Sequence, residues 1–272
     1  MPHVYAYESL LVERTGRLLK VTLNRPEALN AVGAVMHREL DEFFREVRFD
    51  SSVGAILLTG AGRAFSSGGD VKFVAGEAAA DKPRSNGAQR VGKTLLSSKS
   101  LITNMLDVEQ PIVCAVQGFA MGLGATIALC ADVVLAAEDA VLADTHVDIG
   151  VVAGDGGAVI WPLLLPINTA KYYLMTGDRL TGKDVERLGL VLKAVPAGEL
   201  DAEALAIAER LANGPTLAIR WTKTAVNKAL RERANLLFDT SLLLEGATFL
   251  SDDHKEAAAA FMEKREPKFQ GR

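Results

Sequence analysis

The chain has 272 residues, of which 49% are hydrophobic and 24% are charged, and its formal net charge is -4. This length and balance predict a globular protein with one large core, or one domain with an appendage. The acidic balance, without a dense run of Lys or Arg, argues against nucleic acid as a partner.

The first half of the chain alternates strand and helix patterns. A hairpin is predicted from residues 10–12 and 18–23, and apolar residues at helical spacing follow over 35–47. Residues 75–86 are rich in Ala, Gly, Ser and charge and predict a long loop or a weak helix. The remaining predicted elements are strands at 55–59, 112–116, 133–136 and 141–143, and helices at 94–106 and 125–130.

Beyond Gly156 the patterns become mostly helical. Helices are predicted at 157–164, 169–175, 200–212, 216–230, 236–249 and 253–264. Strands that alternate with helices first, followed by helices alone, indicate an α/β core with a C-terminal helical region.

Two glycine-rich loops follow buried strands: Ala64-Phe65-Ser66-Ser67-Gly68-Gly69-Asp70 and Gln117-Gly118-Phe119-Ala120-Met121-Gly122-Leu123-Gly124. Glycine at the end of a strand can serve a tight turn alone, or it can leave backbone N–H groups open to a ligand. If the two loops converge, their N–H groups can stabilise an oxyanion on a carbonyl or thioester.

Three other patterns give weaker predictions. Residues 87–94 (GAQRVGKT) match a phosphate-binding P-loop, but the preceding DKPRSN cannot form the buried strand that a P-loop requires. Residues 110–131 lack charge, but Pro111 and three glycines favour a buried strand, turn and helix over a membrane span. The two cysteines, Cys114 and Cys130, lie in apolar runs and are expected to be buried free thiols rather than a disulfide.

The two loops, with further motifs in the same order, resemble the crotonase (enoyl-CoA hydratase/isomerase) superfamily over nearly the whole chain. The additional matches are Leu23-Asn24-Arg25-Pro26 with Ala28-Leu29-Asn30-Ala31, Cys130-Ala131-Asp132, Gly150 with Gly154 and Gly156-Gly157, Thr181-Gly182 with Gly189-Leu190-Val191, and Phe261-Met262-Glu263-Lys264-Arg265.

The resemblance implies a spiral of ββα units over residues 1–200 that holds an acyl-CoA site, with a helical region for packing and oligomerisation over 201–272. It also implies a homotrimer or homohexamer. Residues matching Gly69 and Leu123 supply the oxyanion hole in that family.

The acid/base positions depart from the family pattern. Enoyl-CoA hydratases use two glutamates, and their positions hold Thr126 and His146 here. A threonine hydroxyl could at most orient water or substrate, whereas histidine can act as an acid or a base near neutral pH. His146 can equally be a hydrogen-bonded core residue.

Two aspartates lie near His146 in the sequence. Asp155 stands one residue after the position where some relatives carry a catalytic aspartate, so it is a candidate base; an N-cap is its structural alternative. Asp148 is assigned to structure or to orienting His146. One acid/base group favours isomerisation or another one-base reaction over hydration.

The resemblance implies coenzyme A contacts at a larger set of residues, each of which can otherwise be a surface or loop residue. These are Arg25, Ala28, Ser66, Gly68, Gly69, Asp70, Lys72 and Lys264. Coenzyme A would be part of the substrate, and neither a separate cofactor nor a metal is expected.

The expected protein is therefore an acyl-CoA enzyme of the hydratase/isomerase type. The alternatives are a non-catalytic acyl-CoA-binding homologue and, more remotely, a nucleotide-binding P-loop protein. Because the chain begins Met1-Pro2-His3, with no basic stretch before an apolar one, a cytoplasmic location without a secretory signal is expected.

Overall fold

The computed structural model describes residues 4–70 and 87–272. Its strands are β1 (Leu10–Thr15), β2 (Leu18–Leu23), β3 (Ala55–Gly60), β4 (Ile112–Val116), β5 (Phe119–Met121), β6 (Val133–Ala137), β7 (Val141–Ala143), β8 (Leu180–Thr181) and β9 (Lys193–Val195). Its helices are α1 (Ala34–Val47), α2 (Gly87–Asp107), α3 (Leu123–Leu129), α4 (Gly157–Leu164), α5 (Ile167–Thr176), α6 (Gly182–Leu188), α7 (Leu200–Ala212), α8 (Thr216–Thr248) and α9 (Asp252–Glu263).

The strands form two sheets. A six-stranded sheet has the order β1-β2-β3-β4-β6-β9, in which only the β1–β2 hairpin is antiparallel. A three-stranded sheet has the order β5-β7-β8. β3 and β4 are buried along their whole length, as continuous apolar strands are in a parallel sheet covered on both faces.

From β4 to β7 consecutive strands enter different sheets, which generates the ββα repeat. β4 lies in the large sheet and β5 in the small one, and α3 follows; β6 and β7 repeat the same pair of positions. The α/β architecture with a C-terminal helical region is therefore confirmed. The division into units at residue 200 stays a prediction.

The core lies between the large sheet and the helices packed on it. Its largest fully buried side chains are Trp161, Phe43, Phe44 and Phe65 from the spiral and Phe238 from α8. A residue of the C-terminal region thus lies in the same core as the spiral, which fixes α8 relative to the glycine loops.

Two of the predicted helices, at 216–230 and 236–249, are wrong as separate elements. The structure has one helix of 33 residues, α8. The intervening sequence Arg231-Glu232-Arg233-Ala234-Asn235 contains no Gly or Pro to end a helix. The apolar pattern changes there, but the helical backbone continues through it.

The second glycine loop contains a strand that the sequence did not predict. Phe119–Met121 pairs in parallel with Val141–Ala143, about twenty positions later in the chain. A three-residue strand has too little periodicity to recognise locally, and this one depends on its distant partner.

The P-loop hypothesis is contradicted by the backbone of its own motif. α2 begins at Gly87, so the whole motif at residues 87–94 is helical, including the stretch between its two glycines that forms the phosphate-binding loop of a P-loop protein. A P-loop needs open backbone amides that wrap a phosphate, and a helix interior has already used them.

Both cysteines are buried free thiols, as predicted. Burial raises the pKa of the Cys114 and Cys130 thiols, so neither is disposed to form a reactive thiolate. Among the helices at 4–70 and 87–272, none combines the length and apolar character needed to cross a bilayer.

Candidate active site

The first glycine loop is held by hydrogen bonds to residues 28–32. The Ser67 amide donates to Leu29 O at 2.9 Å, and the Val32 amide donates to Gly68 O at 2.8 Å. The Ser66 hydroxyl donates to Asn30 O at 2.8 Å and accepts from the Gly68 amide at 3.1 Å. These contacts fix the backbone of the loop up to Gly69.

The second loop lies directly against the first. The Ser66 amide donates to Phe119 O at 2.9 Å, and the Met121 amide donates to Ser66 O at 3.0 Å. A Cβ on Gly68 would lie 2.5 Å from Met121 O, and Gly68 has φ +87°, so glycine is required there on two counts. The predicted convergence of the loops is present.

Gly69 and Leu123 leave their amide N–H groups unused. Within the part of the chain that the structure describes, neither group donates a hydrogen bond to the protein. Leu123 is the first residue of α3, where an N–H has no partner within the helix. A Cβ added at Gly69 would have no atom of the described structure within 4 Å, so the surroundings of this residue are open.

Thr126 and His146 both lie next to the second loop at Gly122, and the Thr126 amide donates to Gly122 O at 3.0 Å. His146 Cε1 would lie 3.5 Å from a Cβ on Gly122, the residue before Leu123. Thr126 is fully buried on α3, and its Oγ1 has no hydrogen-bond partner among the described residues.

His146 is held between two aspartates. Its Nδ1 lies 2.7 Å from Asp144 Oδ1, and its Nε2 lies 3.2 Å from Asp155 Oδ2. All three residues are buried. Burial opposes the charged imidazole, but Asp155 and Asp144 outweigh it and raise the pKa of His146 well above its usual value.

A protonated His146 donates both of its N–H groups to carboxylates. It then has no free nitrogen with which to accept a proton from a substrate. The geometry therefore favours a positioning role for His146, and its role as the acid/base residue stays a prediction.

Asp155 is not an N-cap. α4 is preceded by Gly156, and no side chain caps it. Asp155 instead directs Oδ2 at His146, while its buried Oδ1 has no partner among the described residues. The structural alternative for Asp155 is thus wrong, because its carboxylate is turned toward the imidazole.

Asp148 does not orient His146. Its carboxylate pairs with Arg179 Nη2 at 2.9 Å and is partly exposed. The orienting residue is Asp144, which the sequence analysis did not single out although it is two residues from His146. Asp144 and Asp148 lie two residues before and two residues after His146, and outside a long helix or strand such spacing fixes no side-chain direction, so the sequence could not decide between them.

Glu245 of α8 completes the group, and the sequence analysis missed it. Glu245, His146 and Asp155 each place one carboxylate oxygen or imidazole nitrogen close to the other two. These three atoms lie within 4.8 Å of one another, and all three residues are buried. The Oε2 atom of Glu245 has no hydrogen-bond partner in the described structure.

A signal for Glu245 exists in the sequence. Phe238, Ser241, Leu242 and Glu245 follow the i, i+3, i+4, i+7 pattern of one helix face, and all four are buried. A glutamate on such a face is unusual, because an isolated buried carboxylate is costly.

The segment Gly154-Asp155-Gly156-Gly157 is shaped around these side chains. An added Cβ on Gly154 would lie 2.7 Å from Glu245 Oε2, and one on Gly156 would lie within 2.4 Å of Thr126 Cγ2. A Cβ on Gly157 would overlap Asp144 Oδ2. Each glycine leaves the volume that a neighbouring functional side chain fills.

His146, Asp155 and Glu245 are also the one set of His, Cys, Asp and Glu side chains, within residues 4–70 and 87–272, spaced closely enough for a metal ion. Both imidazole nitrogens already lie at hydrogen-bond distance from carboxylate oxygens. We therefore interpret the group as a proton-sharing acid cluster, and we refer to Asp144, His146, Asp155 and Glu245 by that name.

Glu245 should make folding stability depend on pH. Burial, with Asp155 and Asp144 nearby, raises the pKa of Glu245 to about 8, while His146 acts in the opposite sense. Between its usual pKa and about 8, the folded protein binds a proton that the unfolded chain releases, so the free energy of unfolding falls as pH rises. We expect the Tm of Glu245→Gln, relative to wild type, to increase from pH 6 to pH 9.

The control for this prediction is Glu232→Gln, an exposed glutamate on the same helix. Its Tm relative to wild type should not change with pH. An equal pH dependence for wild type and Glu245→Gln would show that Glu245 is ionised throughout this range.

The predicted coenzyme A residues lie in several places. Arg25 Nη1 donates to Ala31 O at 2.8 Å and lies 3.6 Å from Asp70 Oδ2, beside the first glycine loop. Lys264 is exposed at the end of α9. Lys72 lies outside the described residues.

The comparisons with known proteins agree with this architecture. The family "Enoyl-CoA hydratase/isomerase" matches residues 13–272. A protein of Rhizobium meliloti described as "Probable enoyl-CoA hydratase" is 35% identical over 98% of this chain and 100% of its own. The "Crotonyl-CoA hydratase" of Syntrophomonas wolfei is 32% identical over 97% of this chain and 98% of its own.

A solved structure is similar over nearly the same extent. The crystal structure of an enoyl-CoA hydratase/isomerase from Mycobacterium paratuberculosis has a TM-score of 0.86 and 34% identity, and the match covers 94% of this chain and 99% of that one. The chain belongs to the enoyl-CoA hydratase/isomerase family. This confirms the predicted superfamily and identifies the protein as a hydratase/isomerase-like enzyme. Its particular reaction stays open.

Proposed function

We propose that this enzyme acts on an acyl-CoA thioester and stabilises its enolate with the amide N–H groups of Gly69 and Leu123. The observation that carries the proposal is the pair of unused amides on two loops that are hydrogen-bonded to each other. Two preorganised donors aimed at one developing oxyanion are worth several kcal/mol to the transition state, on the order of 10²–10³-fold in rate for each donor.

The proton acceptor is assigned to Asp155. Its Oδ2 is held by His146, and its Oδ1 remains available in the buried cluster. His146 positions this carboxylate, and Asp144 fixes the imidazole from its other side. Removal of a proton next to the thioester carbonyl places the electron pair on the oxygen that faces the two amides.

The reaction class favoured by the residues is a double-bond isomerisation or another enolate reaction. The two positions that carry glutamates in enoyl-CoA hydratases hold Thr126 and His146, and neither is set up to activate water as a carboxylate pair would. A non-catalytic acyl-CoA-binding homologue is the alternative, and the replacement of those two glutamates is the feature that favours it.

The coenzyme A part of the substrate is assigned to the face beside the first glycine loop. Arg25, Ala28 and Lys72 are assigned to the nucleotide part, Ser66, Gly68, Gly69 and Asp70 to contacts from the loop itself, and Lys264 to the phosphates. Of these, Ser66 is fully buried and its hydroxyl already bonds Asn30 O, so we limit its contribution to shaping the loop.

The assembly proposed is a homotrimer or homohexamer in the cytoplasm, with a role in fatty acid metabolism. Apolar side chains on α8 support a subunit contact, because Leu236, Leu243 and Leu244 are each more than half exposed. Neither nucleic acid nor a membrane is proposed as a partner.

Ligand-induced stabilisation tests the substrate class. An acyl-CoA thioester at 100 times its Kd should raise the free energy of unfolding by about 2.7 kcal/mol and so increase the Tm, whereas ATP with magnesium should leave the Tm unchanged. The same thioesters should be turned over in a panel of 2-enoyl, 3-enoyl and 3-hydroxyacyl substrates.

The outcomes separate the alternatives. Stabilisation by ATP alone would overturn the acyl-CoA assignment. Stabilisation by acyl-CoA without turnover of any member of the panel would favour the non-catalytic homologue.

A further inference from the structure

Glu245 has, among the described residues, no hydrogen bond to its buried Oε2 that would explain a carboxyl group at this position. No residue in the described part of the chain offers its Oε2 a hydrogen bond, although the residue is only 5% exposed. A buried carboxyl oxygen without a hydrogen-bond partner is energetically costly, so the presence of Glu245 in a core helix requires another explanation.

The position of Glu245 is fixed from both sides along α8. The Ser241 hydroxyl, one turn earlier, donates to Gly154 O at 3.0 Å. The Thr248 hydroxyl, one turn later, accepts from the Val152 amide at 3.2 Å. These contacts bind α8 to the segment that carries Asp155, so the carboxyl group is held in place.

The carboxyl group faces the same cluster as Asp155. A carboxylate oxygen of Glu245 lies within 4.8 Å of a carboxylate oxygen of Asp155 and of a ring nitrogen of His146. Gly154, which has no side chain, leaves the space that the Glu245 carboxyl group occupies. Burial and the neighbouring aspartates favour its protonated form, whereas Asp155 is ion-paired with the imidazole. Two carboxyl groups in different protonation states can act as an acid and a base.

We propose that Glu245 is the proton donor of the reaction and works with Asp155 as the proton acceptor. This inference rests on the proposed function. For a 3-enoyl thioester, Asp155 takes the proton from C2, and the C–H electron pair forms the C1–C2 double bond of the enolate, with the negative charge on the thioester oxygen.

Glu245 then completes the step. The oxygen's electron pair re-forms the C=O bond, the C1–C2 pair becomes the C2–C3 double bond, and the former C3–C4 pair takes the proton of Glu245 at C4. Asp155 is left protonated and Glu245 ionised, and a proton passed from one to the other restores the enzyme. No further reactant is needed.

Measuring two reaction rates distinguishes the role of the proton donor from that of the proton acceptor. Exchange of the C2 protons of a saturated acyl-CoA with D₂O, followed by NMR, requires the acceptor and the oxyanion hole. Conversion of 3-hexenoyl-CoA to the 2-enoyl isomer also requires the donor. In Glu245→Gln we expect the conversion to fall by about 10²-fold and the exchange to stay within about threefold of wild type.

Glu232→Gln is the matched control, because it removes an exposed carboxylate from the same helix and should change neither rate. Glu245→Asp keeps the carboxyl group and should recover part of the conversion. If both rates fall together in Glu245→Gln, Glu245 only supports Asp155, and if neither falls it is structural; either result overturns the proposal.

The wild-type protein supplies a test that does not depend on a variant folding. Conversion should decline as pH rises through the range in which Glu245 loses its proton, while exchange should not decline with it. The groups that face Glu245 are His146, Asp155 and Asp144, and His37 is close enough to Asp155 for the two charges to interact.

Parallel pH profiles for the two rates would overturn the donor role, as would a stoichiometric divalent metal in the purified protein. If wild-type enzyme exchanges no C2 protons of any bound acyl-CoA, the proposed function itself fails, which is a different result from a selective loss of conversion.

Discussion

Asp155→Asn is expected to lower the kcat for acyl-CoA turnover by about 10²–10⁴-fold, with little change in KM. The substitution keeps the shape of the side chain and removes its capacity to accept a proton. Because Asp155 caps no helix, the loss should not arise from unfolding of α4. Steady-state kinetics and C2-proton exchange should both report it.

Asp148→Asn is the control for this prediction. Asp148 lies near the cluster in sequence but pairs with Arg179, and its loss should leave kcat within about threefold of wild type. His146→Ala provides the contrast. If His146→Ala abolishes turnover while Asp155→Asn retains it, the imidazole is the base and the assignment of Asp155 is wrong.

Leu123→Pro is expected to lower kcat by about 10²–10³-fold, the usual effect of losing one oxyanion-hole donor. Proline is well tolerated at the first position of a helix, where its missing N–H has no helical partner and its φ fits. Leu123 occupies that position of α3, and its N–H bonds no described group of the protein. The change therefore deletes the proposed donor with little effect on the helix.

The matched variant is Leu123→Ala, which loses the same buried side chain but keeps the N–H. Any cost of the lost packing is common to both variants, so the ratio of their kcat values isolates the donor. Equal kcat values for Leu123→Pro and Leu123→Ala would remove Leu123 from the oxyanion hole. Gly69→Pro and Gly69→Ala form the corresponding pair on the first loop, where space for a Cβ is available.

The glycine loops could be predicted from the sequence because their signal is local. A buried apolar strand followed by glycines marks the end of a strand wherever its neighbours lie. The resemblance then supplied the pairing of Gly69 with Leu123, and it directed attention to His146 and Asp155.

The other half of the acid cluster could not be located in the same way. Glu245 lies 99 residues after His146, and periodicity shows only that its helix face is buried, not what that face contacts. Asp144 is close in sequence, but its direction depends on the segment between β7 and α4, whose regular structure is a single 3-10 turn at Val147–Ile149. Both assignments required the tertiary packing of α8 and of residues 144–157.

The three glycines at 154, 156 and 157 have a consequence for attempts to alter what the enzyme accepts. Because each one borders a side chain of the acid cluster or Thr126, even an alanine there would compete with Glu245, Asp144 or Thr126 for the same volume. Larger residues at these positions would displace the Glu245, Thr126 or Asp144 side chains before they changed the shape of any acyl-chain pocket. Redesign of the substrate range must therefore begin elsewhere in the chain, because the absence of side chains at these three positions is what leaves room for Glu245, Thr126 and Asp144.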